Sequence, residues 1–459
     1  MKMTHIEKNS ANKLEFLNHS CLIVESGKTK VLCDPWFTGT AFNNGWRLLY
    51  ENSHNINQIE SDYIWISHEH PDHFSIPTLS QISKSKHFLY QQTTDKKVKN
   101  WLEKKQHSVT ELEDGTEYDL GEIKLKSFVS DGYDSAALFE FPNGDKFLNL
   151  NDARLELSDT IQKIKKHDLS HLKIISIQFS YANWAGNEND SLIPFHQQDL
   201  VIERIIKIYQ AFKPKKIFLF ASYVYYSHEE NFFWNKRFWL TYVAEKLAEN
   251  GISLIIPKPN QVIEIDEVTN KNFIEENNLA IDFWKKKTQE EQIKDHSNKN
   301  ISIEEIELAY NKWFDKLWQD NTLSTVSNSK NKNFSLRVKI NDKDCVLEIS
   351  LFNKRLIVDN SEAYDCAVSS ETLVFLLKNN FGRGTVTVNG RIQFNYDLAH
   401  RFFIFFFIPY ANNIGKFFTK ESLTSKLLKS ISNTSVMMSI FKFNHKSSIN
   451  FVQDIQLFD

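Results

Sequence analysis

In the first part of the chain, short apolar runs alternate with polar turn residues, which is typical of many short strands. Runs 20–24 and 30–33 flank a turn and predict a hairpin, and Asn143-Gly144 predicts another. Further strands are predicted at 62–66, 87–90, 109–112, 123–128, 136–141, 147–150, 174–179, 216–221 and 252–256. Helical periodicity predicts helices at 76–82, 95–105, 155–164, 198–212 and 238–250, with a long loop or short helices at 37–57. This interleaving indicates an α/β fold with two sheets between helices.

The pattern changes after about residue 270, where a charged run at 285–300 indicates a solvated helix or linker. Ser302 and Glu305 form a capping-box pattern that opens a helix to about Trp318. A flexible connection at 321–333 precedes predicted strands at 334–340, 346–351, 356–358 and 386–388, a helix at 370–378 and an aromatic helix or strand at 398–408. We therefore predict a catalytic domain at 1–270, a helical and charged linker at 271–333, and a smaller α+β domain of unknown role at 334–459.

Composition narrows the class of protein. Of 459 residues, 41% are hydrophobic and 25% are charged, as in soluble globular proteins. The net charge of −3 argues against a general nucleic-acid binder. The N-terminus lacks the apolar core of a signal peptide, and no apolar run reaches the ~18–20 residues of a membrane span. These features predict a cytoplasmic protein without a membrane span, and they leave its oligomeric state open.

The four cysteines are Cys21, Cys33, Cys345 and Cys366. They form neither a Cys-x-x-Cys nor a Cys-x-His pair, so a disulfide framework, a zinc ribbon or a Rieske cluster within this chain is not expected.

The densest chemical signal lies directly after the apolar run 63–66. His68, His70, Asp72 and His73 stand within six positions, and Pro71 bends the chain between the two pairs. Residues two apart on an extended backbone point to the same face, so His68 and His70 would bind one metal, and Asp72 and His73 a neighbour about 3.5–4 Å away. Imidazole and carboxylate suit zinc, iron or manganese. The alternative is a polar loop that is merely rich in histidine.

The His-x-His-x-Asp-His pattern after a strand resembles the metallo-β-lactamase superfamily. That resemblance implies an αββα sandwich with one or two metal ions at one edge of its sheets. It also implies that Asp152, after the run 147–150, bridges two metals and that His228 is a late ligand. The alternatives are a helix N-cap for Asp152 and a surface histidine for His228.

His19 and Asp34 also recur in the lactonase-like and phospholipase-like branches of this fold. The resemblance implies that Asp34 supports the metal loop by hydrogen bonding. For His19, a structural role in the first hairpin is an equal alternative.

Several short blocks resemble the catalytic region of the CMP-N-acetylneuraminate hydroxylase family. They are the segment from Ser67 to Leu79, Asp131-Gly132, the segment from Leu148 to Asp152, the segment from Asn183 to Gly186, and the segment from Pro214 to Tyr223 followed by Ser227-His228. The implied activity is iron-dependent oxygenation of a nucleotide sugar. Two features depart from that family: this chain lacks the cysteine and histidine pairs of its Rieske cluster, and no histidine follows Asp131-Gly132, where the family has the third ligand of site one. Asp131, Asp134 or His196 would replace it, and a carboxylate there favours iron or manganese over zinc.

These observations predict an enzyme with two transition-metal ions, iron being favoured, and with Asp72 and Asp152 at the reacting centre. The leading function is oxygenation of an anionic or sugar-like small molecule, with electrons from a separate protein. The alternatives are a hydrolase of a phosphoester, lactone or amide, and a non-catalytic scaffold. Arg154, Trp184 and Tyr223 are candidate substrate contacts. An ion pair for Arg154, with Glu156 or Asp159, and an aromatic core for the two rings are the competing interpretations.

Overall fold

The computed structural model describes residues 11–83, 86–130, 134–155, 159–237, 239–323, 334–359 and 362–418. The chain divides into two compact units. The first comprises Met1–Tyr181, His196–Ser227 and Asn235–Gln292, and the second comprises Ala182–Phe195, His228–Trp234 and Ile293–Asp459. The predicted linker 271–333 contributes helices to both units, and the predicted boundaries at 270 and 333 remain predictions.

The first unit is built on two seven-stranded sheets. In chain order, its strands are β1 Lys13–Asn18, β2 Cys21–Ser26, β3 Thr29–Cys33, β4 Trp46–Leu48, β5 Tyr63–Ile66, β6 His87–Gln91, β7 Ser108–Leu112, β8 Glu117–Asp119, β9 Lys124–Val129, β10 Ser135–Glu140, β11 Lys146–Asn149, β12 Leu172–Gln178, β13 Lys216–Phe220, β14 Val224–Tyr226, β15 Leu254–Ile255 and β16 Gln261–Glu264. One sheet has the order β16-β1-β2-β3-β5-β6-β7, the other β15-β13-β12-β11-β10-β9-β8, and β14 pairs separately with β4.

Each large sheet is part antiparallel and part parallel. Strands β3, β5, β6 and β7 run parallel to one another, and so do β11, β12, β13 and β15, whereas the β2–β3 and β10–β11 pairs are antiparallel. The helices assigned wholly or mostly to this unit are α1 Ile76–Leu79, α2 Lys97–Lys104, α3 Thr160–Ile164, α4 Leu192–Phe212, α5 Leu240–Glu249 and α6 Ile274–Gln289.

Side chains that alternate between the two faces of each strand explain how the sheets and helices are layered. In β5, Trp65 joins the large core cluster that includes residues of both sheets, whereas Ile64 and Ile66 join a second cluster together with Val98 and Leu102 of α2. Successive side chains of a strand point to opposite faces, so the two sheets pack face to face and α2 covers the outer face of the first. Residues of α4 and α5 belong to the large cluster with the second sheet. The predicted αββα sandwich is confirmed.

The second unit contains one five-stranded sheet, in the order β19-β18-β17-β20-β21. Its elements are α7 Ile303–Asp320, β17 Ser335–Ile340, β18 Cys345–Ser350, β19 Leu356–Asp359, β20 Cys366–Val368, α8 Ser370–Lys378, α9 Gly382–Asn389, β21 Gln393–Phe394, α10 His400–Phe405 and α11 Phe407–Asn413. The predicted capping box is present, since Ser302 accepts from the Glu305 amide and the Glu305 side chain accepts from the Ser302 amide. This sheet and its helices confirm the predicted smaller α+β domain.

One predicted element is wrong. Residues 386–388, predicted as a strand from their β-branched side chains, belong to α9. Val386 is fully buried there, and the Thr387 hydroxyl donates to the Arg383 carbonyl one turn earlier, at 3.2 Å. The packing of Val386 therefore overrides local strand propensity.

Among the described residues, none of the helices combines the length and the hydropathy that a membrane crossing requires.

Candidate metal centre

The predicted metal loop follows β5 at the edge of the first sheet. The amides of His73 and Phe74 both donate to the His70 carbonyl, at 3.0 and 2.7 Å, so the chain turns sharply after His70. His68 Nε2 lies 2.7 Å from His70 Nδ1. His68 and His70 therefore approach each other through different ring nitrogens, Nε2 of His68 and Nδ1 of His70.

Two carboxylates from the second sheet join this loop. Asp152 follows β11, and its Oδ2 lies 3.6 Å from His68 Nε2 and 3.6 Å from His73 Nε2. Asp134 directly precedes β10, and its Oδ1 lies 3.7 Å from His68 Nε2. Ala153 and Arg154, which directly follow Asp152, are not helical, so Asp152 does not cap a helix that begins at Ala153.

The donor atoms form three overlapping groups, each with all its atoms within 4.8 Å of one another. In the described part of the chain these groups are His68–His70–Asp134, His68–His73–Asp152 and His19–Asp72–His73. Of the three candidates for the missing ligand, only Asp134 is a member. His196 lies half-buried on α4 and is in none of the groups, and Asp131 is outside the described residues.

His228 belongs to the second unit. It is buried, its Nδ1 accepts from the Glu230 amide at 3.2 Å, and its own amide donates to Asn231 Oδ1. Burial and the neighbouring Arg391 charge lower the pKa of His228 to about 4. The three groups of donor atoms do not include it, and its role as a late ligand remains a prediction.

Neighbouring charges shift the pKa values of the loop residues. Three carboxylates raise the pKa of His73 well above its usual value, although burial acts to lower it. His73 and His19 hold the pKa of Asp72 well below its usual value, although burial acts to raise it. Burial lowers the pKa of His68 and raises that of Asp134. The pKa of Asp152 is lowered despite its burial, because of the charges of His68 and His73.

The residues fit a bound cation. Asp72 Oδ1, Asp152 Oδ1 and His73 Nε2 are buried and lack a hydrogen-bond partner among the described residues. A buried polar atom without a partner is costly, and bound metal ions would give these atoms the partners they lack. Because the donors are nitrogen and oxygen alone, the set suits zinc, iron or manganese.

Asp34 lies behind the loop, fully buried. It accepts from the Ser67 amide at 2.8 Å, from the Ser67 hydroxyl at 2.7 Å and from His73 Nδ1 at 2.8 Å. His19 is also buried, and its Nε2 lies 3.2 Å from Asp72 Oδ2. Both residues have positive φ, at 41° and 22°, a backbone conformation that is uncommon outside glycine.

Sequence reasoning overlooked Ser67. It is fully buried between β5 and His68, and its hydroxyl lies within hydrogen-bond distance of Asp34, His68 and His73. The available signal was a small polar residue at the end of an apolar strand, directly before the first histidine.

The three predicted substrate contacts, Tyr223, Trp184 and Arg154, differ in how deeply they are buried. Tyr223 is fully buried in the core of the first unit, where it stacks on Trp284 and donates to the Leu219 carbonyl. The aromatic-core interpretation therefore replaces substrate stacking for Tyr223. Trp184 is also fully buried, in the second unit, against Phe394, so the same correction applies to it. Arg154 is half-buried, two positions after Asp152, and remains a candidate.

Residues 13–138 match the model of the beta-lactamase superfamily domain. This range includes every member of the three groups except Asp152.

Curated relatives match a shorter part of the chain. Cytidine monophosphate-N-acetylneuraminic acid hydroxylase from Danio rerio is 36% identical over 103 residues, which cover 22% of this chain and 17% of the relative. The Mus musculus protein of that name is 39% identical over 74 residues, 16% of this chain and 13% of the relative. The Homo sapiens relative, named inactive, is 37% identical over 73 residues, covering 16% and 15%. The matched region thus spans less than a fifth of each relative.

Solved structures are more distant in sequence. The diiron β-hydroxylase CmlA from Streptomyces venezuelae has a TM-score of 0.41 and 14% identity, over 56% of this chain and 54% of that chain. A possible metal-dependent hydrolase from Veillonella parvula has a TM-score of 0.40 and 14% identity, over 56% of this chain and all of its own.

The family match at residues 13–138 and the two face-to-face sheets agree. The first unit has the metallo-β-lactamase fold, and its residues 13–138 are similar to the beta-lactamase superfamily domain.

Proposed function

We propose that this chain is an iron-dependent oxygenase that hydroxylates a sugar or nucleotide-sugar-like molecule. The observation that carries the proposal is the Asp134 carboxylate, which joins His68 and His70 where a third imidazole would favour zinc. The similarity to the hydroxylases, 36% over 103 residues, supports the substrate class.

In this proposal two metal ions share the loop. His68, His70 and Asp134 would hold one ion, and Asp72 and His73 would hold the other. Asp152 would be a ligand common to both, because its Oδ2 is 3.6 Å from an imidazole nitrogen of each pair. A bound iron pair supplies the chemistry by which dioxygen is reduced.

The reaction requires a reductant. Inserting one oxygen atom into a C–H bond consumes one dioxygen, two electrons and two protons, and releases one water. The four cysteines, at Cys21, Cys33, Cys345 and Cys366, lack the paired spacing of an iron–sulfur motif. In this proposal a separate reduced iron–sulfur or flavin protein supplies the electrons. The chain's own residues hold the metals in a largely buried loop, and Arg154 is the candidate contact for an anionic substrate group.

Hydrolysis is the second candidate, because a set of nitrogen and oxygen donors also binds zinc. Two zinc ions would lower the pKa of a shared water toward ~7 and polarise a phosphoryl or acyl oxygen.

Oxygen labelling separates the two functions. Protein expressed with iron and then purified is expected to contain iron by elemental analysis. With CMP-N-acetylneuraminate and a chemical reductant, we expect heavy oxygen from labelled dioxygen in the product, detected by mass spectrometry. Stoichiometric zinc together with oxygen-independent turnover would overturn the oxygenase proposal and favour the hydrolase.

Asp134→His tests the carboxylate itself. Replacing an oxygen donor with an imidazole should shift the ratio of Zn²⁺ to Fe²⁺ affinity toward zinc, on the order of tenfold or ~1.4 kcal/mol. Anaerobic competition between the two metals in the purified variant and the wild type measures this ratio. An unchanged ratio would remove Asp134 from the ligand set.

A further inference from the structure

We propose that Ser67 is a positioning residue that sets the proton location on His68 and, with Asp34, on His73. The Nε2 atom of each ring is then left as a bare lone pair for a metal. The inference rests on the metal-binding part of the proposed function and is independent of the reaction catalysed.

The Ser67 hydroxyl stands at the meeting point of three side chains. Its Oγ lies 2.7 Å from Asp34 Oδ2, 2.9 Å from His68 Nδ1 and 3.2 Å from His73 Nδ1. All four side chains are buried, so water does not compete for these contacts.

Counting protons fixes the direction of each bond. An ionised carboxylate only accepts, and a hydroxyl has a single proton to donate. The Ser67 proton therefore goes to Asp34, which leaves Ser67 Oγ as an acceptor towards His68. A neutral His68 must then carry its proton on Nδ1, which places the lone pair on Nε2.

The same count of available protons assigns the tautomer of His73. Its Nδ1 lies 2.8 Å from Asp34 Oδ2, so Nδ1–H donates to the carboxylate. A hydrogen bond of this kind to the second ring nitrogen selects the tautomer and ring orientation of a metal-binding histidine. His68 Nε2 and His73 Nε2 are the two atoms that flank Asp152 Oδ2, each at 3.6 Å.

The backbone holds Ser67 in place. Its amide donates to Asp34 Oδ1 at 2.8 Å, and its carbonyl accepts from the Ser135 hydroxyl at 2.6 Å and from Gln91 Nε2 at 3.3 Å. The Asp34 amide in turn donates to the Trp65 carbonyl at 2.9 Å. Residues at the ends of β3, β5, β6 and β10 thus hold Ser67 in the position from which its hydroxyl contacts the histidines.

Zn²⁺ affinity of the metal-free protein tests the proposal by competition with a chromophoric chelator. Removing such a supporting group typically weakens metal binding about 10- to 100-fold, and we expect that loss in Ser67→Ala. Ser67→Thr, which keeps the hydroxyl, should restore the affinity. Ser26→Ala is the matched control, because its buried hydroxyl donates to Asn12 Oδ1 at 2.8 Å, on the strand β2. Wild-type affinity in Ser67→Ala, or an equal loss in Ser26→Ala, would overturn the proposal.

A second measurement needs no variant. Long-range proton–nitrogen spectra of histidine-labelled, Zn²⁺-loaded wild type should show His68 and His73 protonated at Nδ1 and metal-bound at Nε2. Metal on Nδ1 of His68 would contradict the proposal. Because both experiments use zinc and neither measures turnover, they do not depend on whether the protein is an oxygenase.

Discussion

Asp152→Ala is expected to abolish activity and to lower the metal content of the purified protein. The Asp152 carboxylate lies 3.6 Å from both His68 Nε2 and His73 Nε2, so its loss removes a ligand from each pair. Metal-based stabilisation is worth several kcal/mol, so turnover should fall on the order of a thousandfold or more. Elemental analysis and turnover of the same preparation measure both effects.

Asp145→Ala is the control for this variant. Asp145 is also a buried aspartate, 3.3 Å from Lys173 Nζ, but it lies at the opposite end of β11. It should lose stability while keeping its metal. Full metal content in Asp152→Ala would exclude Asp152 as a ligand.

The second large effect is expected at Asp34. Replacing it with alanine leaves Ser67 and His73 without their buried partner, a loss of roughly 3–5 kcal/mol for a broken buried pair. Asp34→Asn should lose less, about 1.5–3 kcal/mol, since asparagine retains one carbonyl acceptor and tolerates the positive φ of 41°. Differential scanning calorimetry of the metal-free protein measures the transition of the first unit.

Asp365→Asn provides the matching comparison in the second unit. Asp365 is fully buried and accepts from the Arg337 amide at 2.9 Å and from Arg401 Nε at 3.0 Å. It should lower a different calorimetric transition. If Asp34→Ala leaves every transition at its wild-type temperature, the network around Ser67 contributes nothing to stability.

Much of the fold was predictable because periodicity reports burial directly. Strand β5 is a continuous apolar run in the sequence, and it is buried on both faces, with Trp65 in one cluster and Ile64 and Ile66 in the other. Short edge strands such as β16 and β21 were missed, because two to four residues carry too little pattern.

The loop His68–His73 was predictable as a chemical cluster because its members are neighbours in sequence. Asp134 was not separable from Asp131 or His196, since the sequence does not specify which side chain reaches His68 after the chain folds. Tyr223 was misassigned because a motif's aromatic residue and a core residue look alike before packing is known. Ser67 was overlooked because its sequence signal is its position alone, at the end of an apolar strand and directly before His68.

The negative charges of the buried carboxylates in the metal centre must be balanced by positive charge. With neutral imidazoles, the ionised carboxylates of Asp72, Asp134 and Asp152 leave three negative charges, which two divalent cations would more than cancel. Without cations, protons must do part of this, as the raised pKa values of His73 and Asp134 indicate. Loading the loop would then expel protons, so acid should favour the empty protein and mild alkali the filled one.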